Sequence, residues 1–296
     1  MLDAGVLGQP LPDLLGRPGD EQRVLALRPV HGQHDNSLEG IDGTDRHRDM
    51  DFPTALRTRR RGRNVSQLQL AIRAGTTQRH LSFLESGRSA PGRTLVVRLA
   101  ESLDLPLRER NELLASAGYA PVYPETPLAD LPGVRTALRH VLAGHEPYPA
   151  VVVDRHGTLV DANRALSLLT DGVAPALLTP PVNVYRLALH PHGLAPRIRN
   201  FGQWAHHVVD RARQELAAHP STRLAELVEE LAGYAPARTI TADHVGFAVP
   251  LQLDDLRLTT TVTTFATALD VTVAELKLEA FLPADEETAT RLRVSR

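Results

Sequence analysis

The sequence has no cysteine, and only 4% of its 296 residues are aromatic. The absence of cysteine excludes disulfide bonds and thiol catalysis, and it fits a protein of a reducing compartment. Aliphatic side chains must build the core, because aromatic ones are too few. No apolar run approaches the ~20 residues that span a bilayer, and no basic segment followed by an apolar stretch marks a secretory signal. We therefore expect a cytoplasmic protein with no membrane insertion.

Lysine is also scarce, since Lys277 is the only one and arginine supplies the remaining positive charge. The net charge of −2 is unevenly spread. Residues 50–119 contain 12 arginines and 6 acidic residues, a net charge of +6, whereas residues 1–49 and 120–296 each carry −4. A compact basic segment in an acidic chain points to a polyanionic partner. On charge alone, an arginine-rich composition explains the segment equally well.

The first 49 residues are rich in glycine, proline, aspartate and histidine and have no sustained periodicity. This composition predicts a disordered extension, which we expect to be dispensable for the folding and the function of the rest of the chain. Met50 directly precedes the first periodic segment and is therefore a candidate start of translation.

Apolar residues recur at helical spacing between residues 51 and 118 and predict five short helices. Ser66 and Thr77 are suited to cap the second and third helices, and Pro106 to open the fifth. Glycines at 75, 87 and 118 stop helices. Five helices in about 68 residues indicate a compact all-α domain.

After a proline-rich linker with a helix over 134–142, β-branched residues predict strands over 150–154 and 158–162, with Asn163 capping a helix. Alternation predicts a strand over 256–265 and a partner strand over 245–251. Helices near 204–218 and 224–231 would cover one side of the sheet, an α+β arrangement typical of sensor domains. The predicted divisions are a disordered extension (1–49), an all-α domain (50–120), a linker with a helix (121–145) and an α+β domain (146–296).

The second helix, a glycine turn and the third helix form the pattern of a helix-turn-helix. Gly75 can adopt a left-handed conformation at the turn, and Ala71 is small where the helices cross. Leu81 and Leu84 would face inward. Glutamine and arginine on the outward face match the edges of adenine and guanine, and Gln67 is placed to bond a phosphate. The predicted DNA contacts are Gln67, Thr77, Gln78, Arg79, Ser82, Phe83 and Arg88.

This pattern resembles the Cro/C1-type (XRE) helix-turn-helix of phage repressors. The matching residues are Ser66-Gln67-x-x-Leu70-Ala71-x-x-Ala74-Gly75 and Thr77-Gln78-x-x-Leu81-x-x-Leu84-Glu85-x-Gly87. The resemblance implies a structural salt bridge between Arg60 and Glu85. It also implies a sequence-specific transcription regulator. One such domain reads only a half-site, so we expect a homodimer on double-stranded DNA.

A second resemblance covers nearly all of residues 52–292. The sequence is similar to the MmyB-like regulators of actinomycetes at several segments, namely His80–Arg88, Arg108–Asn111, Ala117–Pro121, His145–Ala150, Leu189–Leu194 and Glu279–Asp285. In that family the C-terminal half is PAS-like. The resemblance therefore implies that this half binds a small, fatty-acid-like ligand.

Residues of the C-terminal half also suggest where such a ligand would lie. The inward face of the sheet needs an apolar cover, and the segment over 187–196 is irregular enough to form a lid. The candidate apolar lining is Val152, Tyr185, Leu189, Trp204, Val208, Val262 and Phe265. Arg197 or His190 could meet a carboxylate at the mouth. A fully packed core explains the apolar set equally well.

Two other classes of function remain open at this point. The chain lacks GxSxG, GxGxxG, P-loop and HExxH motifs, so we expect no enzyme and no cofactor. A histidine-rich set could hold a metal, but 13 histidines produce such groups by chance, and we predict no metal site; the set is His190, His192, His206, His207 and Asp210. The alternative to a ligand-controlled regulator is a DNA-binding adaptor whose C-terminal half holds a protein partner.

Overall fold

The computed structural model describes residues 50–237, 249–265 and 267–294. The predicted disordered extension over 1–49 lies outside them. None of the helices in these ranges is both long and apolar enough to cross a membrane.

The N-terminal part is the helical domain, and it has the five predicted helices. They are α1 (Phe52–Gly62), α2 (Gln67–Arg73), α3 (Gln78–Glu85), α4 (Arg93–Ser102) and α5 (Leu107–Ser116). The predicted caps are confirmed. Ser66 accepts a hydrogen bond from the backbone of Gln69 at 3.1 Å, and Thr77 accepts one from the backbone of His80 at 3.1 Å. These bonds satisfy N–H groups that have no partner within the helix.

A core of small and aliphatic side chains holds the helical domain together. Ala71 and Leu70 of α2 are buried with Leu81 and Leu84 of α3. Gly75 has φ +63, the left-handed conformation that the turn between α2 and α3 requires. The small side chain of Ala71 is therefore buried in the core between the helices, as the sequence predicted.

The C-terminal part is the sheet domain, whose described residues form five antiparallel strands. They are β1 (Ala150–Val153), β2 (Leu159–Ala162), β3 (Leu251–Leu253), β4 (Leu256–Thr264) and β5 (Lys277–Pro283), in the order β2-β1-β5-β4-β3. β1, β2 and β4 lie where they were predicted. Of the predicted strand over 245–251, only Leu251 is a described strand residue, and residues 245–248 lie outside the described ranges. The central strand β5 was not predicted.

The described part of the sheet domain has seven α-helices. They are α6 (Pro132–Ala143), α7 (Leu166–Thr170), α8 (Val184–Leu189), α9 (Phe201–Ala218), α10 (Thr222–Tyr234), α11 (Val271–Ala274) and α12 (Glu286–Val294). The two predicted helices, α9 and α10, do cover one side of the sheet, but a cover on the other side was not predicted. Leu138 and Leu142 of α6 pack on one face against Val152 and Leu278, while α8, α9 and α10 cover the other face. The reason is that all four residues of β1 are apolar and buried, so both of its faces need a cover.

The predicted role of Asn163 as a helix cap is also wrong, because α7 begins three residues later. The Asn163 side chain is buried and accepts a hydrogen bond from the backbone N–H of Ala150 at 3.0 Å. It donates to the backbone carbonyl of Tyr148 at 2.8 Å. Asn163 therefore fastens the segment that enters β1 to the end of β2.

Candidate nucleic-acid interface and internal cavity

The outward face of α3 is polar and open to solvent. Gln78, Arg79 and Ser82 are exposed on it, while Phe83 is half-buried. The Arg79 guanidinium lies over the Phe83 ring, 5.4 Å from its centroid. Contact with the ring restricts this long side chain and so lowers the entropy cost of any hydrogen bonds that its fork of donors makes.

A buried ion pair fixes α3 against α1. Arg60 donates to both carboxylate oxygens of Glu85, at 2.6 and 2.9 Å, and Glu85 is 2% exposed. Arg60 also donates to the carbonyl of Val65 at 2.7 Å. Burial acts to raise the pKa of Glu85, but hydrogen bonds from Arg60 and Gln67 outweigh it and hold the pKa below its ordinary 4.5. Glu85 is therefore ionised at neutral pH.

Gln67 belongs to the same network, since its Nε2 donates to Glu85 at 2.8 Å. An amide nitrogen carries two N–H donors, so one remains for an outside acceptor. Thr77 and Arg88, at the two ends of α3, are both exposed. The seven predicted DNA contacts thus lie at the start of α2 and along or beside α3.

The helical and sheet domains meet at Arg108 of α5. Arg108 donates to both oxygens of Glu275, at 2.6 and 3.0 Å, and it also pairs with Glu125 of the linker. A groove of about 400 Å³ lies beside this junction, with Leu107 on one side and Phe265 on the other.

A much smaller cavity lies inside the sheet domain, between the sheet and helices α7, α8 and α9. Its volume is about 60 Å³, less than the ~150 Å³ of an apolar cavity that admits benzene. Most of its lining is apolar, including Val151, Leu187, Trp204, Val208 and Phe281. A ligand of ordinary size would have to move these walls apart in order to enter.

The polar part of this cavity is an ion pair between Arg211 of α9 and Glu279 of β5. Glu279 is 4% exposed, and Arg211 also lies 5.9 Å from the ring centroid of Tyr185. Burial, together with the charge of Glu279, raises the pKa of Tyr185 to about 12, so the phenol stays neutral. The indole N–H of Trp204 is buried, with no acceptor among the described residues.

The family comparisons agree with this division. The family model of the MmyB-like transcription regulator ligand binding domain matches residues 134–294, more than half of the chain. The chain belongs to that family. A helix-turn-helix model matches residues 56–110, which cover most of the helical domain. The chain is thus an XRE-type, DNA-binding transcription regulator with an MmyB-like C-terminal domain. Among curated proteins, none matches it.

In this MmyB-like regulator, three of the predicted ligand contacts line the cavity, namely Tyr185, Trp204 and Val208. Leu189 is buried in the same core without being among the lining residues. Val152 lies on the opposite face of the sheet, packed against α6.

The remaining predicted contacts lie elsewhere. Val262 is 44% exposed on β4, and Phe265 packs with the α6 side of the sheet. Arg197 is held by Asp254 at 2.8 Å and by backbone carbonyls, while the ring of His190 contacts that of Tyr234 at 5.3 Å. Neither of the two predicted carboxylate partners lines the cavity.

Sequence reasoning missed the two charged residues of the cavity. Val208 follows Trp204 by four residues and Arg211 follows Val208 by three, so helical periodicity alone places Arg211 on the same inward face. Glu279 gave no such signal, because its strand was not predicted.

A second ion pair continues from the first along α9 and β5. Glu215, one turn after Arg211, pairs with Lys277, two residues before Glu279. Burial acts to raise the pKa of Glu215, but contacts with His219 and Lys277 outweigh it and lower the pKa to about 2. The two ion pairs thus extend from the cavity toward Glu275, the partner of Arg108.

The histidines considered as metal ligands are not assembled into a site. Within the described ranges, no group of three or more histidine and acidic side chains is placed to hold a metal ion.

Proposed function

We propose that this regulator recognises a specific DNA sequence through α3 and that a small, apolar, fatty-acid-like ligand in the sheet domain controls this binding. The observation that carries the second part is the internal cavity, in a domain whose family is a ligand-binding one. The cavity is small in this state, so ligand entry would expand it. A ligand changes DNA affinity only if it favours one arrangement of the protein over another. Expansion of the cavity would make the arrangement of the ligand-bound protein differ from that of the free protein.

On this proposal, Gln78 and Arg79 contact base edges, and Gln67 contacts a phosphate with its second N–H. Ser82, Phe83, Thr77 and Arg88 flank them. We further propose that the regulator acts in the cytoplasm as a homodimer, because a single helix-turn-helix reads too few bases for genomic selectivity. A monomeric mass at operator-saturating concentration, with a footprint of one half-site, would contradict the dimer.

The ligand is tested by native mass spectrometry of gently purified protein, in which we expect a co-purified apolar molecule. Titration with fatty acids and related compounds of increasing length should change the fluorescence of Trp204, the only tryptophan. An unchanged spectrum, an unchanged melting temperature and no bound molecule across the series would favour a filled core. In that case the adaptor for a protein partner becomes the better function. The small volume and the largely buried lining of the cavity favour the small molecule over the adaptor.

A further inference from the structure

We infer that the cavity of the sheet domain selects an uncharged ligand that carries a hydrogen-bond acceptor, such as an ester, rather than a carboxylate. This inference rests on the proposed function, because it assigns the chemistry of the ligand in that same cavity. Two independent observations carry it. One is that the only cation among the described lining residues is already paired, and the other is a buried hydrogen-bond donor that has no acceptor.

The cation is Arg211, the only positively charged residue among the described residues that line the cavity. It already pairs with Glu279, which is 4% exposed, and it lies against the ring of Tyr185. A ligand carboxylate would have to share the single positive charge of Arg211 with Glu279. Two buried carboxylates beside one cation leave a negative charge without a partner, which strongly disfavours this arrangement.

The groups around the pair offer no replacement cation. Tyr185 faces it from α8 and stays neutral. On α9, burial lowers the pKa of His207, so its ring is neutral near pH 7, and Glu215 adds negative charge. On β5, Lys277 is already paired with Glu215. Asp154, which follows β1, also acts on Tyr185 and adds no positive charge.

The unmatched donor is the indole N–H of Trp204. The residue is 4% exposed and lines the cavity, and this N–H has no acceptor among the described residues. A buried donor without a partner is disfavoured, and a ligand oxygen that accepts from it relieves the cost. A carbonyl oxygen supplies that acceptor without adding charge to the cavity.

The test compares methyl octanoate with octanoic acid on the full chain, by calorimetry and by shifts in melting temperature. An aliphatic carboxyl with a pKa like that of Glu, about 4.3, is neutral in only about one molecule in 500 at pH 7. We therefore expect the ester to bind at least about a hundredfold more tightly at pH 7. The affinity of the acid should rise about tenfold for each unit that the pH is lowered from 7.5 to 5.5. The affinity of the ester should stay constant.

Two variants separate the two observations. Glu279→Gln removes the competing charge and leaves Arg211 free, so octanoate should become the tighter ligand at pH 7. Trp204→Phe keeps an aromatic wall but removes the donor, and the ester should then bind about tenfold more weakly, as followed by calorimetry. If either variant fails to fold, the comparison of the two ligands on the unaltered chain still decides the question.

Equal or tighter binding of octanoate at pH 7 would overturn the inference and leave the proposed function standing. If neither compound, nor a longer homologue of either, binds or shifts the melting temperature, the proposed function itself fails and the inference fails with it.

Discussion

Arg108 on α5 of the helical domain donates to both carboxylate oxygens of Glu275, at 2.6 and 3.0 Å, and so joins the DNA-binding part of the chain to the ligand-binding part. Glu275 lies four residues before Glu279, which lines the cavity. One short segment therefore touches both the helical domain and the cavity of the sheet domain. A shift of β5 caused by expansion of the cavity would act directly on this junction.

We predict that Glu275→Gln uncouples ligand binding from DNA binding. The variant removes the carboxylate that links Arg108 to the segment before β5 and leaves only the pair with Glu125 of the linker, so we expect movement of β5 to reach α5 much less. The ligand should bind with unchanged affinity, measured by Trp204 fluorescence. The factor by which the ligand changes operator affinity, commonly about 5–150-fold in coupled systems, should fall toward one.

The matched control for this junction is Asp255→Asn, which weakens an exposed ion pair with Arg199 inside the sheet domain. Its coupling should equal that of the unaltered chain. Full coupling in Glu275→Gln would show that the signal travels by another route.

Base recognition by Arg79 gives the second prediction. Arg79→Ala should weaken binding to the preferred operator by about 1–3 kcal/mol and relax the preference at one base position. Arg79→Lys should lose the same preference while it keeps part of the affinity, because lysine lacks the planar fork. Gel-shift titration against an operator library measures both effects.

The contrasting variant is Gln67→Ala, which should weaken binding to all sequences about equally, because phosphate contacts carry no base information. It also removes a hydrogen bond to Glu85, so its melting temperature must be measured alongside. Unchanged affinity and selectivity in Arg79→Ala would mean that another residue of α3 faces the bases.

The third prediction concerns the buried pair of Arg60 and Glu85. Glu85→Gln should destabilise the helical domain by about 3–5 kcal/mol at pH 7, because it leaves the charge of Arg60 buried without its partner. The folded-state pKa of Glu85 lies below its ordinary 4.5. The ion pair therefore contributes its full stability above pH 4.5, the ordinary pKa. This stability is lost as the pH falls from there through the folded-state pKa.

Hydrogen exchange of peptides from α1 and α3, corrected for intrinsic rates and followed from pH 6 to pH 3, measures this loss. The unaltered chain should lose protection in acid, whereas Glu85→Gln should change much less with pH. Glu101→Gln is the control, since Glu101 is half-exposed and lies 3.9 Å from Arg110. A helical domain equally stable at pH 7 with and without the Glu85 charge would contradict the prediction.

The fourth prediction uses two glycines of the sheet domain with nearly the same backbone. Gly157 has φ +74 and Gly172 has φ +73, so alanine is strained at both, by about 1–2 kcal/mol. A Cβ at Gly157 would lie only 2.5 Å from the ring of Tyr185, whereas one at Gly172 would meet nothing within 4 Å. Gly157→Ala should therefore cost about 1–3 kcal/mol more, because it pushes on a wall of the cavity.

Melting temperature measures the cost, and Trp204 fluorescence reports on the cavity. Gly172→Ala should lower the melting temperature with little spectral change, whereas Gly157→Ala should alter both. Identical melting temperatures and spectra of the two variants would mean that the Tyr185 ring can move aside without affecting stability or the cavity.

The helices of the helical domain could be predicted from the sequence because the features that determine them are local. Ser66 and Thr77 cap their helices, Gly75 makes the turn, and apolar spacing identifies the inward face, so the five helices follow from short segments. In the sheet domain, β1, β2 and β4 were predicted because their residues are β-branched or strictly alternate.

The central strand was harder to predict because it breaks that pattern. β5 contains Lys277 and Glu279 among its buried apolar residues, and both charges are accommodated by partners on α9 that are more than 60 positions away. Burial of Val152 toward α6 rather than toward the cavity likewise depends on a helix that was predicted as part of the linker. Such pairings are tertiary, and no periodicity within one segment reveals them.

The position of β5 in the sheet also bears on how the chain is made. It lies between β1 and β4, yet it is the last of the five strands to leave the ribosome. Domains generally fold as units, with the N-terminal one first during synthesis. The helical domain can therefore be folded before β5 is synthesised and able to pair with β1. A nascent chain arrested before residue 277 would carry a folded helix-turn-helix domain attached to a sheet that lacks its central strand.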